Sequence, residues 1–376
     1  MWHTRVVGVL VGCLADLVLA DPRARHPVAG FGAAATTVER LTYRDTRRSG
    51  AVHVAILVGA VSLFGAALQR QSRRCGPLGS VVVTATATWV ALGGTSLARI
   101  GSAMGELLGS DDLDGARRLL PSLCGRDPAL LDAPGLTRAT VESVAENTSD
   151  AQVAPLLWAV AGGVPGVLGY RAVNTLDAMV GYRSPRYLRF GWASARLDDA
   201  ANWVPARVTA ALTIACAPVA SATTKTKTQM VPLPGTSAQG PPAEGHRLPG
   251  PASAAMRAVL RDGARHPSPN AGRCEAAFAG ALGLRLGGTN VYGGVTEVRP
   301  GLGDGRAPEP DDIRRAIRLS RAVTAAATGL AVLIALTGAG RSRAATGPAR
   351  RWRPTTAGAA RTLRRTGPGR SAGVRA

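Results

Sequence analysis

Ala51-Val-His-Val-Ala-Ile-Leu-Val-Gly-Ala-Val-Ser-Leu-Phe-Gly-Ala-Ala-Leu68 is an 18-residue run whose only ionisable side chain is His53. A bilayer core is about 30 Å thick and a helix rises about 1.5 Å per residue, so about 20 apolar residues cross it. Ser80–Ala98 and Ala322–Gly340 are each 19 residues without a charge and read the same way. Val6–Ala20 is shorter and contains Asp16. It reads as a first span or as a signal peptide with a poor cleavage site at Val18-Leu19-Ala20. Ala151–Tyr170 is uncharged but interrupted by Pro155, Gly162, Gly163, Pro165 and Gly166. A re-entrant or broken helix fits it as well as a full crossing. Val208–Ala222 is marginal. The expected fold is therefore all-α: a polytopic integral membrane protein with about 4–6 membrane segments, one of them a candidate re-entrant segment.

The 376 residues carry 45 Lys+Arg against 24 Asp+Glu, a net charge of +21. Residues 341–376 contribute ten Arg and no acid. With aromatics at only 4%, a base-stacking nucleic-acid surface is not expected. Two domains are expected. Residues 1–340 form a helical membrane domain carrying a flexible Pro/Gly/Ser-rich linker at 221–255. Residues 341–376 form an Arg-rich disordered tail able to touch anionic lipid. A short helix is expected from Asp311-Asp312 to Arg318 and Arg321, acid at its start and base at its end. Arg40, Arg44, Arg47 and Arg48 make the loop after the first span a cytoplasmic candidate. The five cysteines have no metal or redox spacing, and no GxxxxGK[ST] loop occurs.

Polar chemistry gathers in three blocks. The first runs from Glu142 to Asp150, and within it Glu142 and Glu146 are four apart and share a helical face. Like charges there repel unless a cation or basic partner neutralises them; a solvated helix end is the alternative. In the second block Arg171, Asn174 and Asp177 share a face directly after Ala151–Tyr170. Arg183, Arg196, Asp198, Asp199 and Asn202 follow. Ionisable groups beside membrane segments are costly and mark function more often than structure. The third block is His266-Pro-Ser-Pro-Asn270-Ala-Gly272, then Gly287-Gly288-Thr289-Asn290-Val-Tyr-Gly-Gly294. His266 is a proton-transfer group or a turn residue, and the glycines permit close approach to a phosphate or bulky ligand.

Taken together, and with Asp16, Asp21-Pro22 and His26-Pro27-Val28 near the start, these blocks resemble the CobD/CbiB family of cobalamin-biosynthesis membrane proteins, the adenosylcobinamide-phosphate synthases. The resemblance runs in order from about residue 12 to about 335, which makes the first apolar run a retained span. The chain departs at Arg273-Cys274, where the family has Trp-Pro, and at Thr289, where it often has Pro. The resemblance implies a multi-pass protein of the cell membrane that joins a propionate carboxylate of adenosylcobyric acid to aminopropanol or its O-phosphate. ATP and Mg²⁺ are the implied cofactors. The corrinoid, the amine and membrane lipid are the implied partners, with other cobalamin-biosynthesis enzymes as further candidates. Glu142, Glu146 and Asp150 are then candidates for metal or base roles, followed by Asp177, Asp198 and Asp199. His26 and His266 are candidates for proton transfer. Arg171, Arg183 and Arg196, with Asn174, Asn202, Asn270 and Asn290, are candidates for holding phosphate or substrate. A transporter or scaffold with a polar midplane site is the rival reading.

Overall fold

The computed structural model describes residues 2–21, 26–221, 250–292 and 295–345; at 221, 290–292, 295–297 and 335–345 it describes the backbone alone. The protein is an all-α polytopic membrane protein. Its helices are α1 (Trp2–Leu19), α2 (Pro27–Thr42), α3 (Arg47–Arg74), α4 (Gly76–Ala91), α5 (Gly94–Gly109), α6 (Leu113–Leu119), α7 (Ala133–Thr148) and α8 (Ala154–Leu176). They continue with α9 (Trp192–Ala201), α10 (Trp203–Ser221), α11 (Pro251–Asp262), α12 (Ala271–Leu282) and α13 (Pro310–Ala345). Among the described residues six helical segments are long and apolar enough to cross a membrane: Trp2–Leu19, Arg47–Arg74, Gly76–Gly109, Ala133–Gly181, Trp203–Ala220 and Pro310–Ile334.

The burial pattern suits that solvent. Leu14, Leu17, Val18, Leu63, Phe64 and Leu78 point outward from α1, α3 and α4. Thr84, Thr88, Thr148, Ser149 and Gln152 are buried inside. With lipid outside, apolar faces drive no association, and close backbone packing and internal hydrogen bonds hold the bundle instead. Gly8 and Gly12, four apart on α1, lie directly on Thr84 and Thr88 of α4. Thr148 and Gln152 reach Ser320 of α13 at 2.7 and 3.0 Å. We expect the protein to stay in the membrane pellet after alkaline carbonate washing; release without detergent contradicts the lipid-facing assignment.

The interrupted apolar run is a hairpin. A straight helix would separate residues 150 and 174 by about 36 Å. Instead the Asn174 amide lies 3.4 Å from the Asp150 carboxylate, and the Tyr170 hydroxyl donates to the Asp150 carbonyl at 3.0 Å. α8 folds back on itself at Gly163, whose φ of 65° and ψ of −151° lie outside the helical region. The Trp158 and Tyr170 rings stack across the two arms at 6.4 Å. Arg5 of α1 donates to the Val160 carbonyl at 2.8 Å, closing the descending arm, and the Val164 amide donates to Gln69 of α3 at 2.9 Å. A cation at a helix C-terminus and an acceptor at an N-terminus satisfy the groups that such a turn orphans. The hairpin leaves and re-enters the same end of the bundle, so it is re-entrant.

Several expectations need correction. No Gly or Pro interrupts 311–328, and the helix beginning at Pro310 runs through Arg318 and Arg321 into the apolar run rather than stopping there. The linker proposed at 221–255 is shorter, because Pro251 starts α11 with Pro at its first turn; residues 222–249 lie outside the described residues, as does the tail from 346. The glycine block carries β1 (Leu286–Tyr292), paired antiparallel with β2 (Val295–Leu302), an element absent from the sequence reading.

Candidate active site

Both ends of the hairpin carry polar side chains that meet in one cluster. Before α8 the chain makes a π turn, Ser149–Val153, and after it another, Asp177–Gly181. Such turns widen the backbone and often accompany functional sites. They place Asp150 and Asp177 at the mouth of the hairpin. α9 brings Asp198 and Asp199 against them, and Glu146 stands one turn before Asp150 on α7. Asp150 faces Asp198, Glu146 and Asp177, with Arg171 as its opposing cation. Asp177 faces Asp198, Asp199 and Glu146. Asn174 bridges Asp150 and Asp198 at 3.4 and 3.5 Å, and Asn202 donates to Asp198 at 3.0 Å while accepting from the Tyr170 hydroxyl at 2.8 Å. Asn270 donates to the Asp199 carbonyl at 2.8 Å, tying the third block to the second.

The four-residue repeat on α7 divides into unlike roles. Glu142 is buried and ion-paired with Arg126, and its other oxygen accepts the Gly287 amide at 2.7 Å. That makes it a tie between α7 and the start of β1. Removing one partner of a buried pair typically costs 3–5 kcal/mol. Glu142→Gln should therefore lower the melting temperature and the yield of folded protein, and normal values for both would show the pair to be dispensable. Glu146 has Arg299, Arg126 and Glu142 as charged neighbours. It faces the pocket.

Burial, with like charge from Asp199 and Glu146, outweighs the hydrogen bonds from Asn202 and Asn174 and pushes the Asp198 carboxyl up to about 6. The unfolded carboxyl titrates near 3.9. The folded state thus binds this proton more tightly, and the stability it contributes is complete below about pH 4 and lost as pH rises through about 6. Melting temperatures should fall between about pH 4 and pH 6, and Asp198→Asn should flatten that fall. An unchanged slope in the variant contradicts the assignment.

The remaining sequence candidates scatter. Arg196 pairs with Asp199 at 3.6 Å but is largely exposed, and Arg183 is exposed as well. His26 accepts the Val28 amide at 3.2 Å and lies 3.5 Å from Asp21. His266 accepts the Ser268 amide at 3.0 Å in its own turn and lies 3.9 Å from Glu275. The side chain of Asn290 lies outside the described residues. Among the described residues no three His, Cys, Asp or Glu side chains form a ready metal cage.

Three participants escaped the sequence reading. Glu275, buried on α12, faces Glu142 and Glu146, and burial pushes its carboxyl well above the usual range. Arg126 and Arg299 supply positive charge to the same cluster. A lone acid inside the apolar stretch Ala271–Leu282 was the available signal for Glu275.

A helical membrane bundle whose polar blocks meet in one acidic pocket at the mouth of a re-entrant hairpin belongs to the class of polytopic membrane proteins with a localised polar site. The chain belongs to the CobD/CbiB family: the model of that family, described as CobD/Cbib protein, matches residues 9–320. It is similar to the cobalamin biosynthesis protein CobD of Mycobacterium bovis, 60% identical over 334 residues, covering 89% of this chain and 97% of that protein. The protein of the same name from Geobacter metallireducens is 42% identical over 304 residues, covering 80% and 87%. That from Sinorhizobium fredii is 38% identical over 339 residues, covering 87% and 96%. No solved structure matches the chain.

Proposed function

We propose that this cobalamin-biosynthesis protein is a multi-pass enzyme of the cell membrane that joins a corrinoid propionate carboxylate to aminopropanol or its O-phosphate at the expense of ATP. The observation that carries the reading is the convergence of Glu146, Asp150, Asp177, Asp198 and Asp199 with Asn174 and Asn202 at one end of the re-entrant hairpin. A carboxylate is a poor acyl donor, and phosphoryl transfer from ATP turns one of its oxygens into a leaving group. The amine nitrogen then attacks the acyl carbon, phosphate departs, and the nitrogen loses a proton. An ionised carboxylate of the pocket takes that proton, with Asp177 and Asp198 the first candidates.

Mg²⁺ takes one or two carboxylates, keeps several waters and fills its shell from substrate phosphates. The oxygen donors of Glu146 and Asp150, one turn apart, fit that demand without a closed protein cage, and the ion would neutralise charge on the transferring phosphoryl group. Asn174 and Asn202 fix the carboxylates, while Arg171, hydrogen-bonded to Asn174 at 3.5 Å, places a cation at the rim for a substrate anion. Glu142 is left to hold β1.

A transporter's midplane site must be reached from both faces. Here the apex of the hairpin is closed by Arg5 and Gln69, which favours an enzyme open at one end. The test is incubation of the purified protein with adenosylcobyric acid, ATP, Mg²⁺ and either amine, followed by mass spectrometry. The amide should form only when ATP is present. Corrinoid uptake into vesicles without amide would support the transporter instead.

A further inference from the structure

A second opening lies away from the acidic carboxylates. A cleft of about 780 Å³ lies between the start of α7 and the β1–β2 hairpin, lined by Leu130, Leu131, Arg138, Arg285, Leu286 and the Gly287-Gly288 backbone among others. Its volume falls in the range of small-molecule sites, roughly 300–1,000 Å³. One wall is apolar, from Leu130, Leu131 and Leu286; the other presents two arginines.

The arginines differ in mobility. Arg138 is held in place: its guanidinium donates to the Thr289 carbonyl at 2.8 Å and lies 4.0 Å from Glu142. Arg285 is exposed, and among the described residues no carboxylate pairs with it. Asp132, the one acid lining the cleft, is occupied in accepting the Gly135 amide at 2.8 Å. Between the arginines runs backbone that carries no side chain, with Gly287 and Gly288 at φ of 84° and 105°. A bulge at this point takes Gly287 out of the regular ladder. A fixed guanidinium beside one with no carboxylate partner suits a phosphate group, and the apolar wall suits an organic body.

We propose that this cleft binds an organic phosphate, its phosphate on Arg285 and Arg138 and its body against Leu130, Leu131 and Leu286. The site is separate from the acidic cluster: Arg138 and Glu146, the cluster's residue on α7, are eight residues apart along that helix, about 12 Å. The proposal does not rest on the amide-forming reading. Arg171, Arg183 and Arg196, the sequence candidates for phosphate or a substrate carboxylate, do not line this cleft.

The test is equilibrium binding to the full-length protein in detergent, without corrinoid, using inorganic pyrophosphate, ATP and O-phosphoethanolamine as separate probes. Wild type should bind at least one of them, and Arg285→Glu should weaken that binding about tenfold or more with the melting temperature unchanged. Arg257→Glu, an exposed charge reversal on α11 outside both sites, should bind as wild type does. Tightest binding of ATP identifies a nucleotide as the ligand class, and tightest binding of O-phosphoethanolamine a small phosphate ester. Wild type that binds none of the three, or Arg285→Glu that binds as tightly as wild type, overturns the proposal. A protein that binds phosphate here but forms no amide leaves this site standing and removes the reaction.

Discussion

Glu146→Gln is expected to lower amide turnover by about a hundredfold or more while leaving membrane expression close to wild type. The substitution keeps shape and removes charge. Glu146 lies beside Arg299 and Arg126 in the acidic cluster, whereas Glu142, one turn earlier, is locked to Arg126 and Gly287. The two residues should therefore separate in kind: Glu142→Gln in stability, Glu146→Gln in turnover. The Glu146 defect should deepen at low Mg²⁺ if the carboxylate helps to neutralise the ion or its phosphate. Near-normal turnover of Glu146→Gln at every Mg²⁺ concentration would return Glu146 to a helix-end role.

Gly163→Val should leave little folded protein in the membrane. At φ of 65° an L side chain is strained, which costs on the order of 1–3 kcal/mol. A Cβ here would also lie 2.3 Å from the Gln69 side-chain oxygen and 3.0 Å from the Arg5 guanidinium. Both groups close the hairpin turn, so displacing them exposes carbonyl and amide groups where water is scarce. Arg5→Met should show a weaker version of the same loss, since it removes only the acceptor-side closure. A Gly163→Val protein with wild-type yield and melting temperature would mean that the turn tolerates another backbone path.

How much of this was legible depended on how far each signal travels along the chain. The break in Ala151–Tyr170 is local, and Gly162, Gly163 and Pro165 announced it. What makes it a hairpin is Arg5 and Gln69, which sit on other helices and look in sequence like ordinary flanking residues. The four-residue spacing of Glu142 and Glu146 was visible too, and so was the need for a cation or basic partner. That the partner is Arg126, in a loop, and that it serves Glu142 in particular, required the fold. Arg138 stands four residues before Glu142, a spacing that was readable but was passed over. The β1–β2 hairpin had a local signature as well: Gly293-Gly294 separates Asn-Val-Tyr from Val-Thr, the pattern of a two-residue turn. Assigning every glycine to ligand approach hid it. The continuous α13 was missed because Arg318 and Arg321 resemble a helix end, although nothing after them stops the helix.

The central claim is that the carboxylates at the hairpin mouth are where the amide is made. The most direct measurement compares amide formation by wild type and by the double variant Asp150→Asn/Asp177→Asn, both purified in lipid nanodiscs and checked for equal helical content. The account predicts amide from wild type and a loss of about a hundredfold or more in the variant. A well-folded variant that forms the amide at the wild-type rate would contradict it.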